Sequence, residues 1–164
     1  MIAIVMGVSG CGKSTVGQAL ADALGWPFVE GDSYHSQAEV AQMARGVPLT
    51  DAQRGPWLDR LRTEIDRLIA ADQNAVMTCS ALKRAYRAHL RGDHGEAVRF
   101  VYLKGSYDLI HRRMEGRTHF FSPEMLRSQF DTLEEPAPGE ALTVSIDQPV
   151  ADIVAAVRAG LAGS

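Results

Sequence analysis

Apolar positions along the chain fall into two alternating kinds of segment. A continuous apolar run at residues 2–6 and mostly apolar runs at 75–79 and 98–103 suit strands buried in a parallel sheet. Shorter strands are predicted at 27–30 and 142–146. Between them apolar residues recur at helical spacing: Val16, Leu20, Ala23 and Leu24 over 14–24, with Gly25 as a stop. Ser36 and Glu39 form a capping box before a helix that Gly46 ends, and Thr50 and Gln53 form a second box. Trp57, Leu58, Leu61, Ile65, Leu68 and Ile69 make an amphipathic stripe after Pro56, which is expected to interrupt that helix. Ser80 is placed to cap a helix over 81–91, and Ser122-Pro123 to start one after a helix at 106–115 and a loop at 116–122. A last helix covers 149–161. Strands alternating with helices imply right-handed crossovers and an α/β fold with a mainly parallel sheet.

Composition narrows the class. The 164 residues are 46% hydrophobic and 23% charged, which suits one globular domain, and the formal charge of -3 leaves no basic excess for nucleic acid. The two cysteines, Cys11 and Cys79, are too few for a disulfide scaffold and lack zinc-site spacing, so a reducing, cytoplasmic setting is expected. The apolar stretch at 1–8 falls short of the roughly 18 residues that span a membrane. Val8 to Cys11 looks like a lipoprotein processing site, but no basic region precedes it, so that reading is set aside.

The chemistry-bearing signal is Gly7-Val8-Ser9-Gly10-Cys11-Gly12-Lys13-Ser14, which matches GxxxxGK[ST] and lies between a predicted buried strand and a predicted helix. Such a P-loop turns tightly around an anion, with backbone N–H groups and a helix N-terminus pointing inward. Gly7, Ser9, Gly10, Cys11, Gly12, Lys13, Ser14 and Thr15 are therefore the expected ATP contacts. Lys13 is the catalytic cation and Ser14 the Mg²⁺ ligand.

Candidates for the acceptor side follow from residue type and position. Asp32, after the second strand, can orient or deprotonate a hydroxyl, contact Mg²⁺ through water, or simply cap the Gly31 turn. His35 can bond a polyol or serve as a helix-entry residue. Arg54 can grip a carboxylate with two parallel hydrogen bonds, and Lys83 and Arg87, four apart, share one helix face. Arg112, Arg113 and Arg117 crowd one stretch, which fits closure over phosphates or a solvated loop. Met114, Met125, Phe130, Leu133, Trp26 and Trp57 read as packing residues. Three functions stay open on residues alone: a kinase for a small hydroxy acid, a nucleotide kinase, and a nucleotide-switched binding module.

Several stretches together resemble the gluconate kinases, small P-loop kinases built like shikimate and adenylate kinases. They are MGVSGCGKST from Met6, GDSYH from Gly31, GVPLTDAQRGPWL from Gly46, CSALKRAYR from Cys79 and HFFSPEMLRSQFDTLEEP from His119. The resemblance implies a P-loop NTPase-type three-layer α/β/α fold with a five-stranded sheet. It also implies one domain over 1–164, with acceptor-binding helices over about 32–72 and a helical lid over about 112–130. It implies ATP- and Mg²⁺-dependent phosphorylation of D-gluconate at its terminal hydroxyl, and a homodimer. Carried over by position, Asp32 orients the hydroxyl and Arg54 and Lys83 hold the acid. His35, Arg87, His119 and Gln129 join the acceptor site, while Arg113 and Arg117 come down with the lid. The chain departs from the family's usual Pro, Asn, Lys and Asp at Ser36, Glu39, Gln42 and Ala88, which bears on acceptor preference.

Overall fold

A computed structural model describes residues 1–115 and 122–163. In chain order the elements are β1 (Ile2–Met6), α1 (Lys13–Leu24), β2 (Phe28–Glu30), a 3₁₀ turn (Gly31–Tyr34), α2 (Gln37–Ala44), α3 (Asp51–Ala70), β3 (Ala75–Thr78) and α4 (Arg84–Arg91). After a second 3₁₀ turn come β4 (Val98–Lys104), α5 (Tyr107–Glu115), α6 (Pro123–Thr132), β5 (Leu142–Ser145) and α7 (Val150–Ala162).

The strands form one five-stranded sheet in the order β2-β3-β1-β4-β5, and every neighbouring pair is parallel. The unbroken apolar run of β1 is explained by its central place, since all five of its residues are buried. Its side chains alternate between two cores. Ala3 and Val5 join Val16 and Leu20 of α1, Ile110 of α5, Leu126 of α6 and Val157 of α7. Ile2, Ile4 and Met6 join Trp57, Leu61 and Ile65 of α3 and Leu90 of α4. Period-2 alternation with an apolar residue at every position thus produces the expected three layers. Among the described residues no helix is long and apolar enough to cross a membrane.

Two local expectations are corrected. Pro56 does not interrupt its helix, because α3 runs unbroken for 20 residues with Pro56 inside. The missing N–H lies in the second turn, where it forfeits one bond to the Ala52 carbonyl. The Thr50–Gln53 capping box and the buried Trp57, Leu58, Leu61, Ile65 and Leu68 keep the helix continuous through it. Ser80 does not cap α4 either. Lys83 occupies the N-cap position without a side-chain cap, since Ala81 turns into the left-handed region at φ 45, delaying the helix start.

The loops that follow β1, β2 and β3 converge at the carboxyl edge of the sheet. Gly7 N–H donates to the Ser80 carbonyl at 3.3 Å. Gly31 N–H donates to Thr78 Oγ1 at 3.0 Å, and Trp57 Nε1 donates to the Gly31 carbonyl at 2.9 Å. A glycine is required there by close approach, because a Cβ on Gly31 would lie 1.9 Å from the Thr78 carbonyl oxygen.

Candidate active site

The loop joining β1 to α1 depends on positive φ at Gly10 and Gly12 (81 and 95°), which side-chain-bearing residues rarely adopt. The helix that follows has no side-chain cap and no acidic residue in its first turn, so its positive end is left for an anion. Lys13 Nζ rests on the Val8 carbonyl at 3.1 Å. Ser9 N–H, at the turn of the loop, donates to Gln129 Oε1 of α6 at 2.7 Å, so an amide oxygen occupies one donor that a phosphate oxygen would use. Cys11 is buried and packs under Gly7, where an added Cβ would lie 2.8 Å from its Sγ. Burial pushes its thiol up, with Lys13 pulling the other way, so Cys11 is a packing residue rather than a thiolate.

Ser14 Oγ donates to Glu30 Oε2 at 2.6 Å, and the other oxygen of Glu30 accepts from Thr78 Oγ1. Glu30, the last residue of β2, was not singled out from the sequence; its position two before Asp32 at a strand end was the available signal. Among the described residues, no group of three or more His, Cys, Asp or Glu gathers as a metal cage. A hydroxyl beside a carboxylate at a helix N-terminus nonetheless fits Mg²⁺, which keeps most of its ligands as water and phosphate oxygens.

A cavity of about 420 Å³ joins this loop to the acceptor segment. Ser9, Gly10, Gly12, Lys13, Ser14 and Thr15 line one end, and Asp32, His35, Arg54 and Trp57 another. Met114, Met125 and Gln129 close it from the α5–α6 side and Val40, Met43 and Leu49 from α2 and the loop after it. The methionines read as plain packing residues from the sequence, yet they form cavity wall. His35 stacks on Trp57 with ring centroids 4.2 Å apart, its Nε2 3.9 Å from Asp32 Oδ1 and its Nδ1 3.3 Å from Glu39 Oε2.

Arg54 is positioned by α3 and Tyr86 of α4. Its Nη1 donates to Tyr86 Oη at 3.2 Å and lies 3.9 Å from Asp51 Oδ1. Tyr86 Oη donates in turn to Asp51 Oδ1, and Lys83 Nζ reaches both Asp51 oxygens at 3.1 and 3.0 Å. The Tyr86 hydroxyl and Lys83 hold the Asp51 carboxyl below its ordinary range. The two expected acid-holding cations are thus brought together around Asp51, but Arg54 lines the cavity and Lys83 does not.

Other expected residues sit elsewhere. Arg87 is 2% exposed and turns inward: Nε donates to Glu140 Oε1 at 2.6 Å, Nη1 to the Ala81 carbonyl at 2.8 Å and Nη2 to the Glu134 carbonyl at 2.9 Å. Its guanidinium anchors the loop before α4 to the segment after α6, and does not line the cavity. Arg113 Nη2 donates to the Ile146 carbonyl at 2.8 Å, while Gly7 and Cys11 support the loop from below. Arg117 and His119 lie outside the described residues.

Comparison with known proteins adds the following. The family model described as shikimate kinase matches residues 9–141. A gluconokinase of Gluconobacter oxydans (strain 621H) is 46% identical over 84% of this chain and 77% of that protein. The thermoresistant gluconokinase of Escherichia coli (strain K12) is 41% identical over 94% of this chain and 89% of that protein. A crystal structure of a gluconokinase from Sinorhizobium meliloti 1021 superposes with a TM-score of 0.86 at 44% identity, covering 98% of this chain and 90% of that one.

Proposed function

The chain belongs to the gluconokinase family, within the shikimate-kinase type of small kinases, and from that premise we propose how its own residues divide the work. It is a phosphotransferase that phosphorylates gluconate. We propose ATP as donor and the terminal hydroxyl as the site of transfer, giving 6-phospho-D-gluconate. Lys13 and the N–H groups of the loop hold the phosphates and offset the charge on the moving group. Asp32 orients the hydroxyl and takes its proton. Arg54 holds the carboxylate end of the sugar acid, with Lys83 contributing once Asp51 releases it. Ser14, with Glu30 behind it, would hold Mg²⁺, which would supply neutralisation of phosphate charge. Residues 112–130 serve as the lid, with α6 delivering Gln129 to the loop.

The observation that carries this reading is the shared cavity, in which Lys13 and Ser14 face the same space as Asp32 and Arg54. One kinase unit over 1–164 accords with the single sheet. A cytoplasmic setting accords with two buried free thiols, and the homodimer rests on the resemblance alone. An ADP-release assay over gluconate, shikimate and nucleoside monophosphates tests the acceptor, with turnover expected for gluconate. Lys13→Ala removes the phosphate-clamping cation, and a loss of about 3 kcal/mol of transition-state stabilisation, more than 100-fold in rate, is expected. Full turnover by that variant would overturn the assignment.

A further inference from the structure

We propose that Glu39 is a positioning residue that sets which ring nitrogen of His35 carries its proton, so that His35 presents an acceptor lone pair beside Asp32. This rests on the reading that the cavity receives a sugar acid.

The ring of His35 has little freedom. Its side chain is 6% exposed and stacked on Trp57 at 16° between planes, so one nitrogen faces Glu39 and the other Asp32. Glu39 Oε2 accepts the Ser36 N–H at 2.7 Å, and both Glu39 oxygens accept from Arg60 Nη2, at 3.1 and 3.0 Å. Arg60 is itself fixed by donating from Nε to the Tyr34 carbonyl at 2.6 Å. Although burial works against ionisation, these donors hold the Glu39 carboxyl below its ordinary range. A carboxylate accepts and has nothing to donate, so the contact to Nδ1 assigns the proton to Nδ1. Burial also pushes the His35 pKa down, against the pull of Asp32 and Glu39, which keeps the ring neutral and Nε2 unprotonated.

The consequence lies at the cavity wall. Nε2 and Asp32 Oδ1 are 3.9 Å apart, too far to bond each other, and both are acceptors in this state. A ligand with hydroxyls on adjacent carbons satisfies them in one approach, one hydroxyl donating to each. Asp32 alone marks a single hydroxyl; the carboxylate and imidazole together select a polyol. A carboxylate at position 39 offers Nδ1 an acceptor and no donor, which leaves the ring one tautomer.

Nitrogen-15 NMR of His35 in the nucleotide-free protein at neutral pH reads the tautomer directly. The proton is expected on Nδ1 in the wild type and redistributed in Glu39→Ala. That variant is expected to lose about tenfold in kcat/KM for gluconate, mainly through KM, with the KM for ATP unmoved. Glu39→Gln, whose amide turns either its oxygen or its N–H toward Nδ1, no longer fixes the tautomer and is expected to fall between the wild type and Glu39→Ala in both readouts. Ser36→Ala weakens the cap of α2 but leaves the carboxylate in place, so its gluconate KM stays that of the wild type. A wild-type proton on Nε2, an unmoved gluconate KM in Glu39→Ala, or the same loss in Ser36→Ala would overturn the proposal. Wild-type protein that releases no ADP with gluconate overturns the functional reading instead, and the spectrum still judges the tautomer separately.

Discussion

At the residue scale, the site is governed by which donors and acceptors are already engaged. Arg54 remains able to take a carboxylate because the hydrogen bond its Nη1 makes is to a neutral hydroxyl and the Asp51 carboxylate stands off at 3.9 Å. Arg54→Lys loses the planar fork, and a rise of about tenfold in the gluconate KM with little change in kcat is expected in steady-state kinetics. Gln129 competes with phosphate for the Ser9 N–H, so Gln129→Ala frees that donor. Calorimetry is expected to show nucleotide binding tightened by about 1 kcal/mol, the net value of one hydrogen bond. Gly31 answers to space rather than to dihedral freedom, since its Cβ would meet backbone at 1.9 Å. Gly31→Ala forces β2 and β3 apart and is expected to cost about 3 kcal/mol in denaturant unfolding.

At the element scale, the segment after α6 is fastened to the sheet edge and to α4. Glu134 N–H donates to the Leu82 carbonyl at 2.8 Å and its Oε1 accepts the Arg84 N–H at 3.0 Å. Tyr102 Oη donates to Glu135 Oε1 at 3.0 Å, and Glu140 meets the buried Arg87. Arg87, which sequence pattern placed on one helix face with Lys83 and which was expected at the acceptor site, is therefore the clamp of this strap. Removing its partner's charge leaves a buried cation poorly compensated. Glu140→Gln is expected to cost about 2 kcal/mol at neutral pH. Burial alone raises the Glu140 carboxyl, but Arg87 and the Ala137 N–H bring it below its ordinary value of 4.5. A depressed folded pKa contributes stability above pH 4.5 and loses it as pH falls through the lower folded value. The gap between variant and wild type is thus expected to close in acid, as read by urea midpoints across a pH series.

At the scale of the whole molecule, the strand and helix alternation and the motif placement were legible in the chain because each depends on neighbours a few residues apart, whereas the strand order β2-β3-β1-β4-β5 was not. Apolar runs marked the buried strands, the glycine-rich turn between strand and helix marked the phosphate loop, and capping boxes located the starts of α2 and α3. Asp32 was legible as a carboxylate at the carboxyl end of a strand, and His35 and Arg54 as residue types before and within the helices that follow it. Pro56 was misread because the buried stripe of α3 outweighs one lost hydrogen bond, and the start of α4 because Ala81 takes a backbone turn that no local pattern signals. Glu30 stayed hidden because its meaning comes from Thr78, 48 positions away, and Gln129's contact with the loop spans 120 positions.

Local chain pattern was enough to determine an α/β fold with a mainly parallel sheet and a phosphate-loop turn between strand and helix, since dihedral preference, side-chain period and capping act over one or two turns. Which charged groups face the cavity was decided only in three dimensions. Arg87 is consumed by Glu140, Lys83 is shared with Asp51, and His35 is held against Glu39. A charge turns inward or outward according to the partners that folding brings to it, and those partners lie on other elements.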